Sequence, residues 1–173
     1  MRTGTTGIEE VTVVGQAPQP LATNLCWLLS HASHSLTTEL TAALECLGIS
    51  PRATSVLTTA TTGDHTQTEL ARMIGLDKTT MVVTVDELEA AGLAERRPSS
   101  KDRRARVIAV TEAGRRKLRE AEEITRRIHA DVLGTLPDRD REIFLGALTQ
   151  LVTGRLSERV ACAQPVRRRA PRA

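Results

Sequence analysis

From Leu21 onward, apolar side chains return every three or four positions: Leu21, Leu25, Leu28, Leu29, Ala32, Leu36, Leu40, Ala43, Leu44 and Leu47. That is the spacing of one helix face, so the pattern predicts a long first helix ending at Gly48. Ser50 and Pro51 open a second helix, as N-cap and first-turn residue, with Val56, Leu57 and Ala60 inward and Gly63 past its end. Thr66 and Glu69 have capping-box spacing and start a third helix that turns Leu70, Met73 and Ile74 inward. Gly75 breaks that helix. Asp77 caps a fourth, with Met81, Val85 and Leu88 on its core face and Gly92 at its close. The period then drops to about two. Leu93–Arg97 and Arg104–Val110 read as strands around the turn Pro98–Asp102, with Val107 and Ala109 alternating against Ile108 and Val110. Thr111 caps a fifth helix with a stripe at Leu118, Ala121, Ile124, Ile128 and Val132. Beyond Gly134 and Pro137 a sixth helix starts at Asp138 and carries Ile143, Phe144, Ala147, Leu148, Leu151, Val152 and Leu156.

Two helices across a glycine turn, followed by a hairpin, describe a helix-turn-helix with a wing. The expected fold class is mainly α with a small β-wing: a winged helix-turn-helix plus a long-helix dimerisation lobe. Residues 1–20, rich in Gly, Thr and Pro, read as a flexible N-terminal arm. Residues 21–48 and 112–160 form the helical lobe, 50–111 the winged lobe, and 163–173 a basic C-terminal tail. Three long helices with broad apolar faces flank a small winged unit that cannot cover them. A second copy in a two-fold homodimer would.

Composition changes this picture little. Trp27 and Phe144 are the only aromatics, so the core is built from aliphatic side chains. The pattern contains no membrane span and no secretory signal, which predicts a cytoplasmic protein without a membrane partner. Charge changes the picture more. The formal net charge is +3, yet residues 1–94 carry 4 basic and 10 acidic side chains. Residues 95–106 carry 6 basic and 2 acidic ones, and residues 163–173 carry 4 arginines and no acid. Positive charge gathered in one hairpin is the footprint of a nucleic-acid surface.

A major groove admits one helix, whose first residues lie nearest the base edges. Lys78, Thr79 and Thr80 occupy that place here. Lys donates to guanine or phosphate, and Thr bonds a base or touches a thymine methyl. Val82 and Val83 lie off the core face and suit thymine methyls, while Asp86 and Glu87 would be repelled by phosphate. Gln67 and Thr68, at the start of the third helix, suit backbone contacts. In the hairpin, Lys101, Arg103 and Arg104 sit at the tip and favour a narrow minor groove. Asp102 beside them would orient the guanidinium groups of Arg103 and Arg104. Arg96 and Arg97 at the wing base suit phosphate.

The central stretch resembles the MarR family of bacterial winged-helix regulators. The matching residues are Thr66 to Ala71, Leu76 to Met81, Leu88-Glu89 with Gly92-Leu93, Arg96-Arg97-Pro98, and Asp102-x-Arg104 followed by Val110-Thr111-Glu112-x-Gly114. The likeness covers about 21–160, with Val110 in a place the family usually fills with Leu. It implies a homodimer joined by the first, fifth and sixth helices, bound to a pseudo-palindromic operator in double-stranded DNA. It also implies a repressor released by a small-molecule inducer. Val83 departs from a place often held by Arg, and Glu87 from one often basic. Asn24-Leu25-Cys26-Trp27 is similar to the segment bearing the reactive cysteine of the hydroperoxide-sensing branch, although this chain has no Tyr to serve the thiol. On that resemblance the alternative is a thiol-based redox-sensing repressor using Cys26; Cys162, at the far end of the sixth helix, would approach it from the other copy if both helices share the dimer seam.

His31 and His34, one turn apart in the first helix, and Trp27 before them suit an anionic ligand in a cleft. Nothing implies a metal or a cofactor. Three cysteines give neither a disulfide framework nor a zinc spacing. There is no nucleophile–base pair and no glycine-rich phosphate loop, so the sequence does not read as an enzyme. A winged-helix protein-interaction module remains as a further alternative, on the strength of Val82, Val83, Asp86 and Glu87.

Overall fold

The structure is a computed structural model describing residues 21, 23–100, 102 and 104–157. Lys101, Arg103, Cys162, the arm over 1–20 and the tail over 163–173 lie outside the described residues. The element order is α1 (Leu25–Leu44), a 3-10 turn (Glu45–Leu47), α2 (Pro51–Ala60), α3 (Gln67–Ile74) and α4 (Lys78–Ala90). Then come β1 (Ala94–Pro98), β2 (Arg106–Val110), α5 (Glu112–Gly134) and α6 (Asp138–Thr153). No helix among the described residues is long and apolar enough to cross a membrane. The chain divides into two compact units, Met1–Ile124 and Thr125–Ala173.

In the first unit, side-chain caps set where each helix begins. Asn24 accepts the N–H of Trp27 at 2.9 Å, so α1 starts four residues later than the leucine periodicity suggests. Gly48, at φ 63°, ends the 3-10 turn in the left-handed region, which a side chain would resist. Ser50 caps α2 through the N–H of Ala53. Thr66 and Glu69 close a full capping box on α3: Thr66 receives the N–H of Glu69, and Glu69 receives the N–H of Thr66 at 2.7 Å. Asp77 caps α4.

The core lies between α2, α3, α4 and the hairpin. Leu57, Leu70, Met81, Val56 and Val85 are fully buried there, joined by Ile108 from β2 and by Leu118 and Ala121 from α5. Each large aliphatic side chain in this cluster contributes about 1.5–3 kcal/mol by leaving water. Two expectations fail here. Met73 is 53% exposed rather than inward. The short α3 buries Leu70 and Ala71, with Ile74 half-buried, and Met73 lies about 100° around the helix from Ile74. Of α1 only Leu44 is buried, and Leu25 and Leu28 stand open at 54% and 40%.

β1 and β2 pair antiparallel, from Ala94 opposite Val110 to Pro98 opposite Arg106. Val107 to Val110 are all buried, so the expected alternation of exposed and buried faces is absent. A third segment also runs along the outer edge of β2. The N–H of Ile108 donates to the carbonyl of His65 at 3.0 Å, and Thr66 bridges Val107. β2 is thus bonded along both edges, to β1 on one side and to this short segment on the other. Its far end runs into a tight joint with α5. Thr111 donates its N–H to the Leu93 carbonyl at 3.1 Å and its hydroxyl to the Gly92 carbonyl at 2.7 Å. Gly114 returns its own N–H to that hydroxyl at 3.0 Å. A Cβ on Gly114 would land on the Leu93 carbonyl oxygen, which is why only glycine fits there.

In the second unit, Arg141 closes the end of α5, donating to the carbonyls of Leu136 at 3.0 Å and Gly134 at 3.2 Å. A cation at a helix C-terminus satisfies carbonyls left without helical partners. Ile128 is buried, but Val132, expected on the same stripe, is 43% exposed. α6 has no buried residue, and Ile143, Phe144, Val152 and Leu156 all stand open.

Candidate nucleic-acid interface

The geometry of α4 follows from its buried side. Met81, Thr84, Val85 and Leu88 face the core, and the hydroxyl of Thr84 turns back to the Thr80 carbonyl at 2.8 Å. At 100° per residue the opposite ridge is Thr79, Val83 and Asp86, flanked by Val82. Val82 and Val83 are indeed exposed. Lys78 and Thr79 are exposed at the helix start, and Thr80 is half-buried. Asp77 holds Thr80 twice: Oδ1 accepts its N–H at 2.9 Å and Oδ2 its hydroxyl at 2.7 Å. The Thr80 proton is thus committed inside the protein, leaving Lys78 and Thr79 as outward polar groups of this turn.

At the start of α3, Thr68 is exposed and Gln67 half-buried. The Gln67 carbonyl oxygen accepts from Arg96 Nη2 at 3.0 Å. Arg96, expected at phosphate, is turned into the protein. Its Nη2 also meets Asp86 at 2.6 Å, its Nη1 is bonded to Glu89, and its backbone N–H donates to Glu89 at 2.7 Å. Three acceptors from α3 and α4 converge on it.

The wing is braced differently. Arg97 is about half exposed, 3.6 Å from Asp64 Oδ1, and Asp64 Oδ2 also accepts the hydroxyl of Ser100 at 2.7 Å. The Ser100 hydroxyl and N–H, followed by the Arg97 charge, hold the Asp64 carboxyl below its ordinary range. The N–H and hydroxyl of Thr66 do the same to Glu69. Asp64 and Ser100 carry no sequence signal for this role, since they meet across the α2–α3 connection only in the fold. Asp102 accepts the backbone N–H of Arg104 at 2.9 Å, so it shapes the turn through the main chain. Arg103, the other arginine expected beside Asp102, lies outside the described residues. The Arg104 side chain is exposed.

On α1, Trp27 and His31 stack at 4.9 Å with planes 7° apart, and His34 is exposed one turn on. Cys26 is exposed. An open cleft of about 150 Å³ lies elsewhere, by the end of α2 and β2, with Asp64, Arg97 and Arg115 in its wall. Neither Trp27 nor either of these histidines lines it. Among the described residues no group of three or more His, Cys, Asp or Glu side chains is placed to hold a metal.

A helix-turn-helix core with an exposed reading ridge and a hairpin braced beside it defines a winged-helix DNA-binding regulator. A family model described as MarR family matches residues 47–105. The chain is similar to CouR from Rhodococcus jostii RHA1, solved with p-coumaroyl-CoA, at 30% identity over 79% of this chain and 97% of that one, with a TM-score of 0.71. A MarR family transcriptional regulator from Rhodococcus sp. RHA1 is 29% identical over 79% of this chain and 99% of that one, with a TM-score of 0.71. A CouR repressor bound to a 23-mer DNA duplex is 27% identical over 80% of this chain and 99% of that one, with a TM-score of 0.69. The chain belongs to the MarR family, and is a DNA-binding transcriptional regulator rather than an enzyme.

Proposed function

We propose that this chain is a cytoplasmic, homodimeric repressor that binds a pseudo-palindromic operator and is released by a small ligand. The observation that carries the DNA reading is the α4 ridge: Thr79, Val82 and Val83 exposed on a capped helix whose other face is wholly buried. Exposed valines on such a ridge match thymine methyls in a major groove. Lys78, Thr68 and Arg97 take phosphate, and Arg104 enters the minor groove beside it, where guanidinium groups are favoured. CouR, a repressor solved with a DNA duplex, supports the DNA-binding reading, and its complex with p-coumaroyl-CoA supports a small-molecule inducer. The dimer reading draws on the open apolar side chains of α1 and of α6, which a second copy would cover.

The test is selection of duplexes from a random-sequence pool, followed by affinity measurements at several salt concentrations. An enriched sequence with two-fold symmetry is expected. Arg104→Ala should weaken binding to it and flatten the dependence of log affinity on log salt by about one unit, with its melting temperature unchanged. Enrichment of no sequence would overturn the reading, and an Arg104→Ala variant binding as the parent does would remove the wing from it.

A further inference from the structure

Arg96 belongs to the basic hairpin, yet its guanidinium is engaged by side chains of α3 and α4. One residue of β1 is tied at once to Gln67 at the start of α3 and to Asp86 and Glu89 on α4. Asp86 lies on the reading ridge itself, one turn beyond Val83 and two beyond Thr79, with 58% of its side chain exposed. A bare carboxylate there would face a polyanion, and like charges repel most where water is partly excluded. The Arg96 fork bonds two acids and an amide from two helices, which a point charge cannot do with the same geometry.

We infer that Arg96 is a positioning residue for sequence-specific DNA binding: it cancels Asp86 on the reading ridge and fixes α4 against α3 and the wing, without gripping phosphate itself. This rests on the DNA-binding reading above, and it adds a device that reading does not contain. A chain that keeps acids on its recognition helix must keep their cation within the protein. Specificity then depends on a side chain that touches no base.

The experiment uses the full chain and two duplexes, one enriched by the parent protein and one of the same composition scrambled. Arg96→Lys retains a cation beside both acids, so folding should persist and is checked by thermal melting. Loss of the fork should weaken binding to the enriched duplex about tenfold, leave the scrambled duplex within about twofold, and leave the salt slope unchanged. Asp86→Asn should be nearly silent in the parent but should recover part of the loss in an Arg96→Met background, by removing the charge that Arg96 no longer cancels while the fork to Glu89 and Gln67 stays lost. An Arg96→Lys variant that binds the enriched duplex as tightly as the parent overturns the inference, since lysine still holds phosphate. Additive effects of Arg96→Met and Asp86→Asn overturn it too, as does an Arg96→Met variant that weakens both duplexes alike and lowers the salt slope by about one. A parent that enriches no sequence overturns the DNA-binding reading and this inference with it.

Discussion

Adding one methyl group at Gly114 tests the joint between the wing and α5. The new Cβ would land on the Leu93 carbonyl oxygen, and would stand 2.9 Å from Val110 Cγ1 and 3.0 Å from the Leu93 carbonyl carbon. Two of those three atoms are backbone and cannot rotate aside. The same oxygen already accepts the N–H of Thr111, so α5 can back away only by giving up that bond. Overpacking of this kind costs about 1–3 kcal/mol, and rigid neighbours put Gly114→Ala at the upper end. Helix propensity returns at most about 1 kcal/mol, and less in a first turn. The net loss is about 2 kcal/mol. At about 2–4 °C per kcal/mol for a chain of this size, the melting midpoint should fall by about 4–8 °C. Far-ultraviolet circular dichroism with heat and with urea reads this directly. Gly92→Ala supplies the comparison: its φ is +68° but no atom lies within 4 Å of the added Cβ, so only backbone strain of about 1–2 kcal/mol opposes it. A Gly114→Ala protein that melts at or above the parent would refute the close approach.

Other outcomes follow from the caps, the acids and the open helix faces. Asp77→Ala removes the acceptor for the Thr80 N–H and hydroxyl, and should cost about 1 kcal/mol in urea unfolding. The same change should weaken DNA binding by loosening the first turn of α4, and unaltered binding would show that turn to be held by other contacts. Asp64 titrates below its ordinary value in the folded chain, so its contribution is full above the unfolded value and disappears as pH falls through the folded one. The stability gap between parent and Asp64→Asn should therefore be constant near neutrality and shrink below about pH 4. A gap that stays constant into acid would mean that Ser100 and Arg97 do not hold the carboxylate. Phe144→Glu places a charge on the open face of α6 and should shift the proposed dimer to monomer in light scattering. A persistent dimer would place the seam elsewhere.

Whatever is local in this fold can be read from the sequence. The Thr66–Glu69 capping box, Asp77 as N-cap, and the glycines at 48, 75 and 92, all with positive φ, lie where residue chemistry and spacing put them. The ridge of α4 is legible for the same reason: once Met81, Val85 and Leu88 are assigned to the core, helix geometry leaves Val82 and Val83 outside. Arg96 is not legible, because its partners Gln67, Asp86 and Glu89 stand 29, 10 and 7 residues away and converge only after the hairpin folds back over α3 and α4. The Asp64–Ser100 contact spans 36 residues and is hidden in the same way. The edge contact of β2 with His65 and Thr66, about 40 residues back in the chain, is likewise one that no period within β2 announces.

The joint at Thr111 also bears on how such a protein measures its target. Thr111 bonds to the carbonyls of Gly92 and Leu93, so both ends of the hairpin are locked to the close of α4 and the opening of α5. Helix and wing then move as one caliper jaw. In the homodimer proposed above, two such jaws would keep their shape while the distance between them changed. The quantity left to vary is the gap between jaws, and operators with one or two base pairs inserted between their halves would be rejected on distance, with every base contact still available within each half.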